Sequence, residues 1–350
     1  MLGGLGMLGL ILGLPAQRAE AQNAQCWRSA DLRVKQGEGL IRKGQRSAYV
    51  PLPTGTPRKP DASLQLVRGS IRRVALPPGK KVIALTFDLC EQPYEVAGYQ
   101  GDIVDYLRKQ KVPATFFAGG KWMLTHTDRA QQIMSDRLFE LANHSWEHRN
   151  FRLLGARRIK SEIDGAQLAY ERTYDALAKR HCLAPSNSKR SHSRLAHTLA
   201  PSRLSLFRFP FGACNAQALK AVNDRGLLAI QWDISSADPW KGQTVERMTR
   251  YILSRAKSGS IIIFHANGRG WRTGAALPGI IAGLKAKGFS FATVTQLLAL
   301  PGARPIISKT CYDARKGDSN RYDDLSRRLE ARYQKFYRSV GVAGQARKTN

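Results

Sequence analysis

Short apolar runs alternate with longer amphipathic segments from residue 81 onward. The apolar runs are rich in β-branched and aromatic residues and cover residues 81–87, 114–118, 138–143, 204–209, 227–233, 260–265 and 289–294. Between them, apolar positions recur at helical spacing in residues 101–110, 128–135, 157–180, 215–226, 244–257 and 276–288. This alternation predicts an α/β fold in which helical crossovers join parallel strands.

The number of strand–helix units limits the possible architectures. About seven of them predict a closed or nearly closed barrel, with an open doubly wound sheet as the alternative. The barrel domain is expected over residues 81–300, after an extended basic and Pro-rich arm at residues 22–80. Residues 301–350 are expected to form a tail with a surface helix, and residues 181–203 a mobile loop beside the site.

Ionisable side chains stand where several predicted strands end. The first strand leads directly into Asp88, Cys90 and Glu91, and buried carboxylates are costly unless they are paired or bound to a cation. The later strands are followed by His144, His148, Arg208, Asp233, Asp238 and His265. Because parallel strands end at one face of a barrel, these residues are expected to converge there.

His144 and His148 are four residues apart and can bind one divalent cation through neutral imidazoles. A catalytic site also needs a third protein ligand and an open position. The same letters, HSWEH, match the HxxEH pattern of certain zinc peptidases, but that pattern belongs in a long helix. Here it follows a strand-like run, which favours a metal site at the barrel rim.

These motifs together resemble those of the polysaccharide deacetylase family, with its NodB homology domain, also called carbohydrate esterase family 4. The family's motifs are TFDDG, HSxxH or HTxxH, RxPY, a DxxDW-like segment and an LxLH-like segment. Their counterparts are TFDLC at 86–90, HSWEH at 144–148, RFPF at 208–211, DISSADPW at 233–240 and IIIFH at 261–265. All five occur in order, each at the end of a predicted strand, and the resemblance covers residues 81–300.

The resemblance implies a deformed (β/α)7-type barrel that removes an N- or O-acetyl group from a sugar by metal-assisted hydrolysis. It assigns the general base to Asp88, which Arg208 orients, and the general acid to His265. The backbone N–H of Phe211 would polarise the acetyl oxygen. Asp238 would adjust the chemical properties of the general acid, His265, or of Arg208.

The expected metal site departs from the family pattern. His144 and His148 would hold the cation, expected to be Zn²⁺, with Co²⁺, Ni²⁺ or Mn²⁺ also compatible. Leu89 stands where the family has a second aspartate ligand, and we expect Glu91 to replace it. Two other arrangements stay open. Asp88 becomes a metal ligand and Glu91 acts as the base, or His144 and His148 hold the cation together with water molecules. Cys90 is a further candidate ligand.

The N-terminal residues and the net charge suggest where the protein acts. Residues 1–21 form a short apolar run ending in a small-x-small pattern, which predicts a cleaved signal peptide and export to the periplasm or the medium. A transmembrane anchor is the weaker alternative, because a span needs roughly 18 residues. The net charge of +30 favours anionic glycans or lipid headgroups, because the chain carries no nucleic-acid-binding motif. A basic surface that only aids solubility is equally compatible.

The five cysteines can oxidise in an exported protein. A disulfide between Cys26 and Cys311 would join the N- and C-terminal extensions. Cys90 and Cys214 could lie close enough beside the site to form a second disulfide. Cys182 would then remain unpaired.

The sequence therefore predicts an exported, metal-dependent deacetylase of an acetylated carbohydrate. Two alternatives remain: a glycan-binding protein on a decayed deacetylase fold, which the change to Leu89 motivates, and an amidohydrolase acting on a small non-sugar substrate.

Overall fold

The protein is described by a computed structural model over residues 26–60, 67–180, 200–310 and 318–342. The described strands are Arg42–Lys43 (β1), Ser70–Ala75 (β2), Val82–Leu89 (β3), Glu95–Val96 (β4), Ala114–Ala118 (β5), Phe139–Asn143 (β6), Leu206–Phe207 (β7), Leu228–Ile230 (β8), Ile234–Ser235 (β9), Ile261–His265 (β10), Ser290–Phe291 (β11) and Arg304–Ser308 (β12).

The described helices lie before, between and after these strands. They are Ser29–Leu32 (α1), Gly101–Lys109 (α2), Gly120–Thr125 (α3), Thr127–Met134 (α4), Ala156–Ala178 (α5), Ala216–Asn223 (α6), Val245–Arg255 (α7), Thr273–Ala286 (α8), Val294–Leu298 (α9) and Asp318–Ser339 (α10). Short 3₁₀ turns occupy Arg46–Ala48, Phe151–Leu153 and Pro210–Gly212.

The main sheet has the strand order β12-β2-β8-β7-β6-β5-β3-β10-β9, and β11 pairs with the beginning of β3. All neighbours are parallel except β12 and β2. The Val74 N–H donates to the Gly259 carbonyl at 3.0 Å, which brings β2 against the start of β10. The sheet therefore curls toward closure, and the predicted deformed barrel, with its N-terminal extension and C-terminal helix, is confirmed.

Successive side chains of β3 point alternately toward the apolar core and toward the site. Phe87 stacks on Phe116 and Phe264 of the two adjacent strands, with ring centroids 5.3 Å apart in each pair. Leu89 belongs to the same buried apolar cluster. Because successive side chains of a strand point to opposite faces, Asp88 points away from that cluster.

The sheet extends beyond the predicted domain limits. β2 lies within the segment expected to be an extended arm, and β12 lies within the expected tail. α10 forms as expected, but its Tyr333, Phe336 and Tyr337 are buried rather than at the surface. The predicted signal peptide and most of the predicted loop at 181–203 lie outside the described residues. Among the residues described, no helix combines the length and apolarity that a membrane crossing requires.

Candidate active site

The C-terminal ends of β3, β6, β7 and β10 bring four of the predicted site residues together. Asp88 and His265 are register partners on the paired strands β3 and β10. Nη1 of Arg208 donates to Oδ1 of Asp88 at 2.8 Å. Nε2 of His144 lies 3.4 Å from Oδ2 of the same carboxylate. Residues more than a hundred positions apart along the chain thus surround one buried carboxylate.

Arg208 is held rigidly behind Asp88. Its guanidinium is fully buried, lies 3.8 Å from the ring centroid of Phe117, and donates to the carbonyls of Ile230 and Gln231. Burial by itself would raise the pKa of Asp88, but the neighbouring His144, Arg208 and His265 outweigh it and lower this pKa below its ordinary value. Asp88 is therefore an ionised and oriented carboxylate.

The two histidines of HSWEH present unprotonated nitrogens to the same space. Nδ1 of His144 lies 2.9 Å from the Arg208 carbonyl, which can only accept, so this nitrogen carries the proton and Nε2 has a lone pair. Nε2 of His144 and Nδ1 of His148 are buried and have no hydrogen-bond partner among the described residues. Burial lowers the pKa of both imidazoles. Two neutral imidazoles with unpartnered nitrogens fit a bound divalent cation.

The backbone of this segment is a turn rather than a helix. Ser145 and His148 adopt left-handed φ values of 67° and 60°, which side-chain-bearing residues rarely do. Glu147 points elsewhere: it pairs with Arg149 and Arg158 and accepts a hydrogen bond from the Tyr337 hydroxyl at 2.6 Å. This arrangement excludes the peptidase interpretation, which needs Glu147 in the site on a helix.

Cys90 stands beside the histidines. In the described part of the chain, Cys90, His144 and His148 form a group of potential ligands whose atoms lie within 4.8 Å of one another, and all three are buried. Burial raises the pKa of the Cys90 thiol to about 12. A bound cation is what would deprotonate such a thiol.

Glu91 lies outside this group, contrary to its expected role as the replacement ligand. Its fully buried carboxylate lies 3.3 Å from Nζ of Lys121 and accepts from the Ala97 N–H at 2.9 Å and from the Thr125 hydroxyl at 3.0 Å. Lys121 also donates to three backbone carbonyls of the loop after β3. Glu91 therefore connects this loop to α3, and its carboxylate faces Lys121 and does not belong to the group of close ligand atoms around the histidines.

Replacing Glu91 by Gln should consequently destabilise the fold and spare metal binding. Removing one partner of a buried ion pair typically costs about 3–5 kcal/mol, because the other charge stays buried. Denaturant unfolding should show a loss of that order, whereas metal content per folded chain should match the unmodified protein. Loss of metal from a fully stable variant would contradict the structural role.

His265 is oriented by Asp238, which is itself buried. Nδ1 of His265 lies 2.9 Å from Oδ1 of Asp238, and Oδ2 accepts from the His265 N–H and the Thr273 hydroxyl, each at 2.6 Å. Burial would lower the pKa of His265, but Asp238, with help from Asp88, raises it above its ordinary value despite an opposing contribution from Arg269. The raised pKa favours the imidazolium form, in which Nε2 as well as Nδ1 carries a proton.

The C-terminal helix closes one side of the site, which the sequence did not reveal. Phe211 has a left-handed φ of 59°, and its ring contacts His148 at 4.5 Å and Tyr322 of α10 at 5.7 Å between centroids. Glu330 of the same helix pairs with Arg149. A cavity of about 270 Å³ lies between the histidine turn and α10. The spacing of Tyr333, Phe336 and Tyr337 along one helix face was the available signal for burial.

The cysteines pair differently from one expectation. Cys26 and Cys214 are each disulfide-bonded, whereas Cys90 is a free, buried thiol. The expected bridge between Cys90 and Cys214 is therefore wrong. The other expected pairing involves Cys311, which lies outside the described residues, as does Cys182.

Comparison with known proteins agrees with this geometry. Residues 75–198 match the family model described as polysaccharide deacetylase. The chain is 27% identical over 226 residues to a peptidoglycan-N-acetylglucosamine deacetylase of Bacillus cereus, which covers 64% of this chain and 91% of that protein. It is 29% identical over 227 residues to a bifunctional xylanase/deacetylase of Pseudobutyrivibrio xylanivorans, covering 65% of this chain but only 32% of that longer protein.

Solved structures share the fold. The Xyl-CE4 domain of a multidomain xylanase from the hindgut metagenome of Trinervitermes trinervoides aligns with a TM-score of 0.51 at 26% identity, over 67% of this chain and 98% of that one. A CE4 family pseudoenzyme from Bacillus anthracis also aligns with a TM-score of 0.51, at 23% identity, over 67% and 70% of the two chains, and shows the fold alone. The five ordered motifs on this barrel, the family-model match and the named deacetylase relatives together support assignment of the chain to the polysaccharide deacetylase family.

Proposed function

We propose that this protein is a hydrolase that removes acetyl groups from an N- or O-acetylated carbohydrate with the help of one divalent cation. The observation that carries the proposal is the pair of opposed groups at one face of the barrel: an ionised Asp88 held by Arg208, and a His265 whose proton is held by Asp238. Relatives named as deacetylases of peptidoglycan and of chitooligosaccharides support the reaction class.

The proposed mechanism assigns one step to each group. His144 and His148 would hold the cation, which would supply a Lewis acid for the acetyl oxygen and acidify a water. Asp88 takes the proton of the attacking water, and Arg208 keeps its carboxylate ionised and oriented. The backbone N–H of Phe211 is proposed to donate to the developing oxyanion. His265 then protonates the departing sugar nitrogen or oxygen, which releases acetate.

Exposed aromatic side chains near Asp238 support a carbohydrate substrate. Trp240 is 57% exposed and Trp271 45% exposed, so neither is a core residue. The backbone N–H of Trp271 donates to the backbone carbonyl of Asp238 at 3.3 Å, so Trp271 lies close along the backbone to the acid that orients His265. Indole faces at the rim of a site can stack on sugar rings. Export to the periplasm or the medium, where such glycans occur, and Zn²⁺ as the cation are further parts of the proposal.

An acetate-release screen tests the proposal. Acetylated chitooligosaccharides, peptidoglycan and an acetylated exopolysaccharide would each be incubated with the protein, with and without a chelator. We expect acetate from at least one of them, with loss on chelation and recovery on adding Zn²⁺. Binding to a glycan without acetate release from any of the three would instead favour the non-catalytic binder that Leu89 suggests.

The pH dependence tests the proposed acid. A general acid must be protonated, so activity should fall as the pH rises through the pKa of His265, which lies above its ordinary value. Replacing Asp238 by Asn removes the charge that raises this pKa. The alkaline limb of the kcat/KM profile should therefore move to lower pH, and the maximum rate should fall. An unchanged limb would rule out His265 as the acid held by Asp238.

A further inference from the structure

We propose that Cys90 is the third protein ligand of the cation, so that this chain binds its metal through a Cys–His–His set. The inference rests on the proposed function only in requiring a cation at the histidine pair. It explains how a chain with Leu89 in place of a carboxylate could still hold a catalytic metal: the ligand has moved by one position along the strand.

The position of Cys90 follows from the alternation of β3. Leu89 belongs to the apolar cluster that contains Phe87, so its side chain faces away from the site. The next residue returns to the face of Asp88. Its Sγ then lies within 4.8 Å of ligand nitrogens of His144 and His148. Ligands at about 2.0–2.3 Å from a tetrahedral zinc ion lie roughly 3.3–3.6 Å apart, so side-chain shifts of about 1 Å would bring all three onto one ion.

Two further observations support a sulfur ligand. The free nitrogens of His144 and His148 are buried and have no partner among the residues described. Nδ2 of Asn267 donates to the Cys90 carbonyl at 2.6 Å and to Sγ at 3.0 Å, as outer-shell groups do around metal-bound donors.

The nearby carboxylates are already committed elsewhere. Asp88 accepts from Arg208 through Oδ1, while its Oδ2 lies 3.4 Å from Nε2 of His144, and Glu91 is paired with Lys121. Neither belongs to the group of mutually close ligand atoms. Thiolate is a softer donor than carboxylate, so the site should favour Zn²⁺ over Mn²⁺ more strongly than a carboxylate site would.

Metal spectroscopy on the unmodified protein tests the inference. With Co²⁺ in the site, we expect a sulfur-to-cobalt charge-transfer band in the near ultraviolet together with the visible bands of bound Co²⁺. With Zn²⁺, X-ray absorption should show one sulfur at about 2.3 Å. Bound Co²⁺ without the charge-transfer band, or a zinc shell of nitrogen and oxygen only, would overturn the sulfur ligand and leave the proposed function standing. No bound metal at all would overturn both.

Two substitutions at Cys90 separate a ligand from a space-filling side chain. Loss of an outer-shell group typically weakens metal binding by about 10–100-fold. Because Cys90 is proposed to bind the metal directly, Cys90→Ala should weaken Zn²⁺ binding by more than that. Cys90→Asp should retain Co²⁺ but lose the charge-transfer band, because an oxygen donor replaces the sulfur. Unchanged Zn²⁺ affinity in a folded Cys90→Ala protein would contradict the inference.

Discussion

Replacing Asp88 by Asn should reduce acetate release by about 10²- to 10⁴-fold, the range typical for loss of a general base. Asparagine keeps the shape and can still accept from Arg208, but it cannot take a proton from water. Steady-state acetate release on the best substrate of the screen measures the effect. Because Asp88 lies outside the group of close ligand atoms, metal content should change little.

Asp233→Asn provides the matched control for this experiment. Asp233 is also an acid between strands, but its carboxylate accepts from the Ser260 hydroxyl and the Ile261 N–H, each at 2.8 Å, and not from site residues. Its replacement should leave the rate within a few-fold of the unmodified protein, or about 1 kcal/mol. Equal losses in both variants would show that the Asp88 effect is structural.

Replacing His144 by Gln should abolish metal retention and reduce acetate release by at least about a hundredfold. The variant loses a buried imidazole whose lone pair faces the proposed cation and whose other nitrogen is fixed by the Arg208 carbonyl. Metal analysis of the purified protein and acetate release are the two readouts.

His126→Gln is the corresponding control, because it removes a partly buried imidazole that does not belong to the group of Cys90, His144 and His148. His126 stacks on Trp122 with ring centroids 4.8 Å apart and lies outside the Cys90 group. The control should keep its metal. A His144→Gln protein that retains both metal and activity would exclude the metal role of the histidine pair.

Alternating apolar and amphipathic segments were enough to predict the barrel, because helices join most of the successive parallel strands. Placing Asp88, Arg208 and His265 at one face needed only the rule that parallel strands share their C-terminal ends. What the pattern missed were β2 and β12, whose segments carry basic residues and prolines and pair with each other antiparallel at the margin of the sheet.

The metal ligands could not be predicted fully from the sequence, because their choice depends on tertiary contacts. Glu91 was the expected replacement because it is the nearest carboxylate along the chain. Its actual partner, Lys121, is set by how α3 packs under the loop after β3, and spacing gives no indication of that. Cys90 was considered only as a secondary ligand because a bridge to Cys214 was expected, and tertiary structure alone shows that Cys90 is free.

Titration of the metal-free protein with Zn²⁺, with acetate release followed at each addition, measures whether hydrolysis depends on the cation. We expect activity to rise with added metal and to saturate at one equivalent per chain, and we expect the Asp88→Asn protein to bind the same equivalent without gaining activity. Acetate release that is already complete in the metal-free protein, and indifferent to added Zn²⁺, would contradict this expectation.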